Sequence, residues 1–145
     1  MTFIEKNKKE DFILLLEAGF IAVNQADETS AKRLFNAAAV LDPESTLPKV
    51  GIGYLHLHKL ELKQACELFE NVLKEDPNNE MAKTFLGLSL GFTPKGITKA
   101  EQLLENTAQS KDTLIHNLSV SALDFIDKFV KKEPSPYEGK NPKEK

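Results

Sequence analysis

Disulfides, tryptophan and an excess of basic charge are all missing from this chain. One cysteine, Cys66, stands among its 145 residues. That excludes an intrachain disulfide, and the place of Cys66 beside Ala65 in an apolar helical pattern reads as a small buried hydrophobe. A formal net charge of -3 and a pI near 5.7 argue against a nucleic-acid partner, since a grip on phosphates needs clustered Lys and Arg. No apolar run approaches the length of a membrane span, and Met1 to Ile4 run straight into Glu5 and further charges, which leaves no signal-peptide core. The expected location is the cytoplasm, without membrane contact.

Catalytic signatures are missing too. There is no phosphate loop, nucleophile elbow, paired-cysteine motif or dinucleotide fingerprint. His56 and His58 are two positions apart, so on a helix they face different ways. His116 has no histidine partner at a ligating spacing. The sequence therefore predicts no enzyme, no metal, no cofactor and no small-molecule substrate.

What is present is a period. Gly19 and Gly53, Ala31 and Ala65, Phe35 and Phe69, and Pro43 and Pro77 are each 34 positions apart. Leu86-Gly87 begins a third copy at the same distance from Ile52-Gly53. A small residue at Gly53 lets one helix approach its partner closely, Ala65 does the same from the other side, and Phe69, one turn beyond Ala65, fills the space between them. Asp76-Pro77 and Asp42-Pro43 end their helices, because the residue before proline avoids the helical region and proline has no N–H to donate.

Taken in order, Glu10 to Asn24 is apolar on most sides and predicts a helix covered on two faces. Asp27 or Thr29 caps a helix running from Ala31 to Leu41, and Ser45 or Thr46 caps the next, with Pro48 tolerated in its first turn. The third copy is irregular: its turn from Gly91 to Gly96 is longer by about one residue, which puts Ala100 and Leu104 where the other copies have Ala and Phe. From Thr113 to Lys131 a last helix carries Leu114, Leu118, Ala122, Phe125 and Phe129 at spacings of three and four, the expected dry face of a terminal cap. The predicted organisation is one all-α domain over residues 1–131, with units at about 12–45, 46–79 and 80–112 and a capping helix at 113–131. Residues 132–145, with Pro134, Pro136, Pro142, Gly139 and many lysines, predict a disordered tail.

This pattern resembles the tetratricopeptide repeat, a helix-turn-helix unit of 34 residues that stacks into a short right-handed superhelix. Two departures stand out: the usual aromatic at the fourth position is Leu15 and then Lys49, and a usual tyrosine is Ala22 and then His56. By analogy to that family, positions 2, 5, 9 and 12 of each first helix line the concave side. Here they are Ile13, Leu16, Phe20 and Val23, then Leu47, Val50, Tyr54 and Leu57, then Met81, Thr84, Leu88 and Gly91. Co-chaperone domains of the family hold acidic peptides with Lys and Asn at fixed groove positions, but this chain has Leu16, Phe20, Gly51, Met81 and Phe85 there, so that clamp is absent. The apolar set predicts a groove for an amphipathic or extended apolar segment of another protein. The bland alternative is that the last helix or a second copy covers it.

Three units, a terminal helix and an apolar groove together resemble the small chaperones of bacterial type III secretion, over roughly Phe12 to Lys131. The stretches AKRLFNAAAVLDPES and GIGYLHLHKLELKQACELF have the look both of the class that binds hydrophobic translocators (the LcrH/SycD type) and of the class that holds the needle subunit (the YscG/PscG type). The resemblance implies a protein partner, a secreted needle or translocator subunit kept monomeric before export, and in the needle class a second small co-chaperone. A structural adaptor within an unrelated assembly is the rival reading.

Overall fold

Thr2 and Glu5 open the first helix with a reciprocal cap. Thr2 Oγ1 accepts from the Glu5 N–H at 3.2 Å, and Glu5 Oε2 accepts from the Thr2 N–H at 2.8 Å. The computed structural model describes residues 1–131. Its elements are α1 (Phe3–Asn24), α2 (Glu28–Leu41), α3 (Leu47–His58), α4 (Leu62–Glu75), α5 (Glu80–Gly91), α6 (Ile97–Thr107) and α7 (Thr113–Phe125). A 3-10 turn, Pro94–Gly96, precedes α6 and a π turn, Ile126–Val130, follows α7. No strand occurs among the described residues, and the architecture is all-α. The disordered segment expected from Lys132 lies outside the described residues.

α1 pairs chiefly with α2, α3 with α4 and α5 with α6, and α3 lies between α1 and α5. Each pair closes on the same device. A Cβ at Gly19 would stand 2.5 Å from Phe35 Cε1, and one at Gly53 would stand 2.5 Å from Phe69 Cε1. In the third pair a Cβ at Gly87 would stand 2.8 Å from Leu104 Cγ. Only a residue without a side chain admits the ring or branched carbon at that depth, and Phe35, Phe69 and Leu104 are all fully buried. The turns repeat as well: Ala26 and Leu60 both adopt φ 58°, and Asp42 and Asp76 end their helices at φ -137° and -136°.

Several boundaries differ from the sequence reading. α1 starts at Phe3 rather than Glu10, because the Thr2–Glu5 cap supplies partners for its first N–H groups. Its outer face is also uncovered, with Leu14 and Ile21 exposed, since α2 and α3 are its chief neighbours among the described residues. Asp27 is the cap of α2, accepting from the Ser30 N–H at 3.0 Å.

The buried face of α7 is only in part the one expected from the sequence, which named Ala122 but not its buried neighbours. Ile115, Ser119, Ala122 and Ile126 face inward, while Leu114, Phe125 and Phe129 are exposed. Small Ser119 and Ala122 allow close approach to α6, where the Thr107 and Ser119 hydroxyls lie 2.7 Å apart and share a hydrogen bond. Whichever hydroxyl accepts in that bond has its own proton free for a carbonyl one turn back, Leu103 for Thr107 or Ile115 for Ser119, so burial leaves neither unpaired.

A cluster of charges ties the start of α2 to the turn between α3 and α4. Glu28 meets Lys32 at 2.7 Å and Lys59 at 3.0 Å, and Glu61 meets Lys59 at 2.7 Å and His56 at 2.5 Å. Hydrogen bonds from Lys32 and then Lys59 hold the Glu28 carboxyl at about 2, against an ordinary 4.5, and Lys59 followed by His56 lowers Glu61. A depressed carboxylate contributes stability above its unfolded pKa and loses it as pH falls toward the folded value. The melting temperature is therefore expected to drop between pH 4.5 and about 2, and Glu28→Gln should reduce that drop. Thermal scans of both proteins across this range check it; equal slopes would show the cluster to be inert.

Candidate binding groove

The groove begins with side chains that helix geometry places on one stripe. Along α5, Met81, Phe85 and Leu88 are spaced by four and three, so they project from one face. α1 brings Phe20 and Asn24 to the same side by the same spacing, and α3 brings Tyr54. These residues, with Leu118 of α7 as an end wall, enclose a slot of about 450 Å³. α7 reaches it because it packs on both α6 and α5.

Its floor is a run of aromatic contacts. Phe20 meets Tyr54 with ring centroids 5.5 Å apart, Tyr54 stacks on Phe85 at 5.0 Å, and Phe85 meets Phe69 at 5.7 Å. At the other end Phe20 meets the edge of Phe35 at 5.2 Å. Groove floor and helix-pair cores are thus one connected set, and each such pair adds about 0.5–1.5 kcal/mol beyond the area it buries. One polar bond crosses the slot: the Tyr54 hydroxyl donates to Asn24 Oδ1 at 2.6 Å, joining α3 to α1. Burial of the Tyr54 ring raises its pKa above the ordinary phenol value, so the hydroxyl keeps its proton and stays a donor.

Of the residues expected to line the groove, Phe20, Tyr54, Met81 and Leu88 come together in this slot. Leu16, Val23, Val50 and Leu57 do not: they are buried in the core. Each of those two pairs is seven apart, on the flank of its helix that meets neighbouring helices. Leu16 and Val23 pack with Ala31, Phe35 and Leu55, while Val50 and Leu57 pack with Phe69, Ala82 and Leu86. Thr84 and Gly91, at the same two positions of α5, are buried as well. Ile13 and Leu47 meet elsewhere, in a cleft of about 550 Å³ between α1 and the α2–α3 turn, beside Lys8, Lys9 and Asp42.

No family model matches the chain, and no curated protein does. The groove is therefore judged by its own chemistry. Apart from Asn24, its lining offers only carbon, the Met81 sulfur and one phenol already engaged. Among the described residues no group of three or more His, Cys, Asp and Glu is placed to hold a metal ion, and no helix is long and apolar enough to cross a membrane. Cys66 is half-buried, and burial raises its thiol, with Glu70 adding to the shift, so it carries little thiolate. Such a site can bury apolar surface but has no charged group aimed into it.

Asn24 and Leu118 were not in the predicted groove set, and Phe85 was named only at a position of the absent clamp. Phe85 and Asn24 had a signal, since each lies four residues beyond a predicted lining residue, Met81 and Phe20. Leu118 had none, because the position of α7 against α5 follows from tertiary packing.

Proposed function

We propose that this chain is a tetratricopeptide-like repeat protein whose groove holds the apolar face of a helix from another protein and so masks it. The observation that carries the reading is the connected aromatic floor Phe20–Tyr54–Phe85, open to solvent in a slot free of charged side chains. An apolar stripe of this kind suits an amphipathic helix with anchors at spacings of three and four. Support for repeats of that type comes from the recurrence at 34 positions of the Gly–Phe contacts and of the positive-φ turn residues Ala26 and Leu60.

The partner we favour is a self-assembling subunit of type III secretion, needle or translocator, held as a monomer in the cytoplasm before export. Masking fits the chemistry, since a filament subunit must keep its apolar face from others of its kind until assembly. The chain carries out no catalysis in this reading. A test is the titration of the full chain with the needle subunit encoded in the same genome, followed by size-exclusion chromatography. A discrete complex that keeps the subunit from polymerising supports the proposal; a subunit that assembles at the same rate with or without the chain removes it.

A further inference from the structure

The bulky stripe that α7 leaves exposed is a second apolar surface of the fold. Leu114, Leu118, Ser121, Phe125 and Phe129 follow one another at spacings of four, three, four and four, which sets them along one side of the helix and its closing turn. Leu114 is 80% exposed, Phe125 40% and Phe129 68%, and the two rings meet with centroids 5.2 Å apart. Phe92, just past α5 and 45% exposed, meets Phe125 at 5.7 Å and widens the patch. No charge interrupts it. Asp124, which pairs with Lys128 at 3.0 Å, stands at its margin, where both side chains stay in water. A contiguous aromatic surface on a soluble chain marks a place where something binds.

The order of sizes along the stripe points to the occupant. Read outward from Ser121, it is the same both ways: one small residue, then two large ones. Antiparallel pairing with a second copy about a twofold axis at Ser121 sets Leu114 against Phe129 of that copy and Leu118 against its Phe125. Every layer then holds one leucine and one ring, and a face that matches itself is what a twofold interface requires. Parallel pairing would set rings on rings and leucines on leucines, in layers of unequal depth. At the axis two small serines let the helices approach. The antiparallel sense also opposes the two helix dipoles, and it brings Asn117, an exposed amide, toward the Asp124 carboxylate of the second copy.

The area suits a weak dimer. At about 150–250 Å² for a whole ring, the three phenylalanines leave roughly 300 Å² open. Leu114 and the polar margin bring the face to roughly 600 Å² a copy, or about 1,200 Å² in all, the lower edge of specific interfaces. We propose that α7 pairs with α7 of a second copy, antiparallel about Ser121, in a reversible dimer. Leu118 also walls the groove slot, but the pairing does not rest on what that slot binds.

Sedimentation equilibrium of the full chain tests this. The average mass is expected to rise from the 16.2 kDa of one copy at roughly 1 μM toward twice that value at roughly 200 μM. Phe125→Ser with Phe129→Ser should stay at the mass of one copy throughout. So should Ser121→Glu, which brings two carboxylates together at the axis and alters only an exposed position. Met81→Glu, in the groove, should dimerise like the wild type. For the orientation, Ser121→Cys in a Cys66→Ala chain should form a disulfide-linked dimer on mild oxidation. Leu114→Cys in the same chain should not, because the two Leu114 positions lie about 20 Å apart across the axis. A wild-type mass that stays constant means that something other than a second copy covers the face, and it overturns the proposal. So does a rise in mass that survives the stripe substitutions, or crosslinking at Leu114→Cys as fast as at Ser121→Cys.

Discussion

Phe69→Ala is expected to lower the free energy of unfolding by about 3–5 kcal/mol, the usual cost of removing a core aromatic ring. Phe69 is fully buried in the crevice left by Gly53 and also touches Phe85, so its loss opens a cavity between α3 and α4 and undercuts the groove floor. Helix backbones cannot close that gap cheaply, since a rigid interior relaxes only in part. Phe35→Ala should cost a similar amount, because Phe35 is clamped from two sides: a Cβ on Gly51 would stand 2.3 Å from its Cε1, and one on Gly19 2.5 Å. Urea unfolding at equilibrium measures both. A midpoint that barely moves in either variant would show that the ring-in-crevice device does not hold the helix pairs together.

A charge should separate the core flank from the groove flank of the same stack. Leu57→Glu is expected to cost several kcal/mol, because the carboxylate would be buried among Ala65, Phe69 and Leu86 without a partner. For a domain of this size that corresponds to a fall in melting temperature of roughly 10 °C or more. Met81→Glu places the same group at a half-buried position facing the open slot, where water remains to solvate it. Its melting temperature should move by only a few degrees, about 1 kcal/mol or less. Circular dichroism melts of the two variants decide the point. Equal losses would mean that Met81 belongs to the core and that the slot is closed in solution.

The helix pairs were legible because their chemistry is local: a glycine, an alanine one partner helix away and a ring one turn later need only correct spacing, as Gly19, Ala31 and Phe35 illustrate. The groove was legible by half. Leu16 and Phe20 are equally apolar in the sequence, but Leu16 turns to the core while Phe20 turns to the slot. Which flank meets a neighbour depends on how α1, α3 and α5 lie side by side, and hydropathy does not encode that. In α7 the expected dry face was the bulky one, with Leu114, Leu118, Phe125 and Phe129 beside Ala122, and of these only Ala122 is buried. Packing chose the smaller face, because Ser119 lets the helix close on Thr107. The start of α1 was readable after all, since Thr2 and Glu5 carry the spacing of a capping box.

The central claim is that a helix of another protein lies in the slot between Phe20, Tyr54 and Leu88. Calorimetric titration of the full chain with the needle subunit from the same genome, wild type against Met81→Glu, tests it most directly. A few central anchors carry most of the energy of such an interface, so the variant should lose about 2 kcal/mol or more, roughly 30-fold in affinity, with its melting curve little changed. Undiminished binding by a folded Met81→Glu chain would place the partner elsewhere and contradict the account.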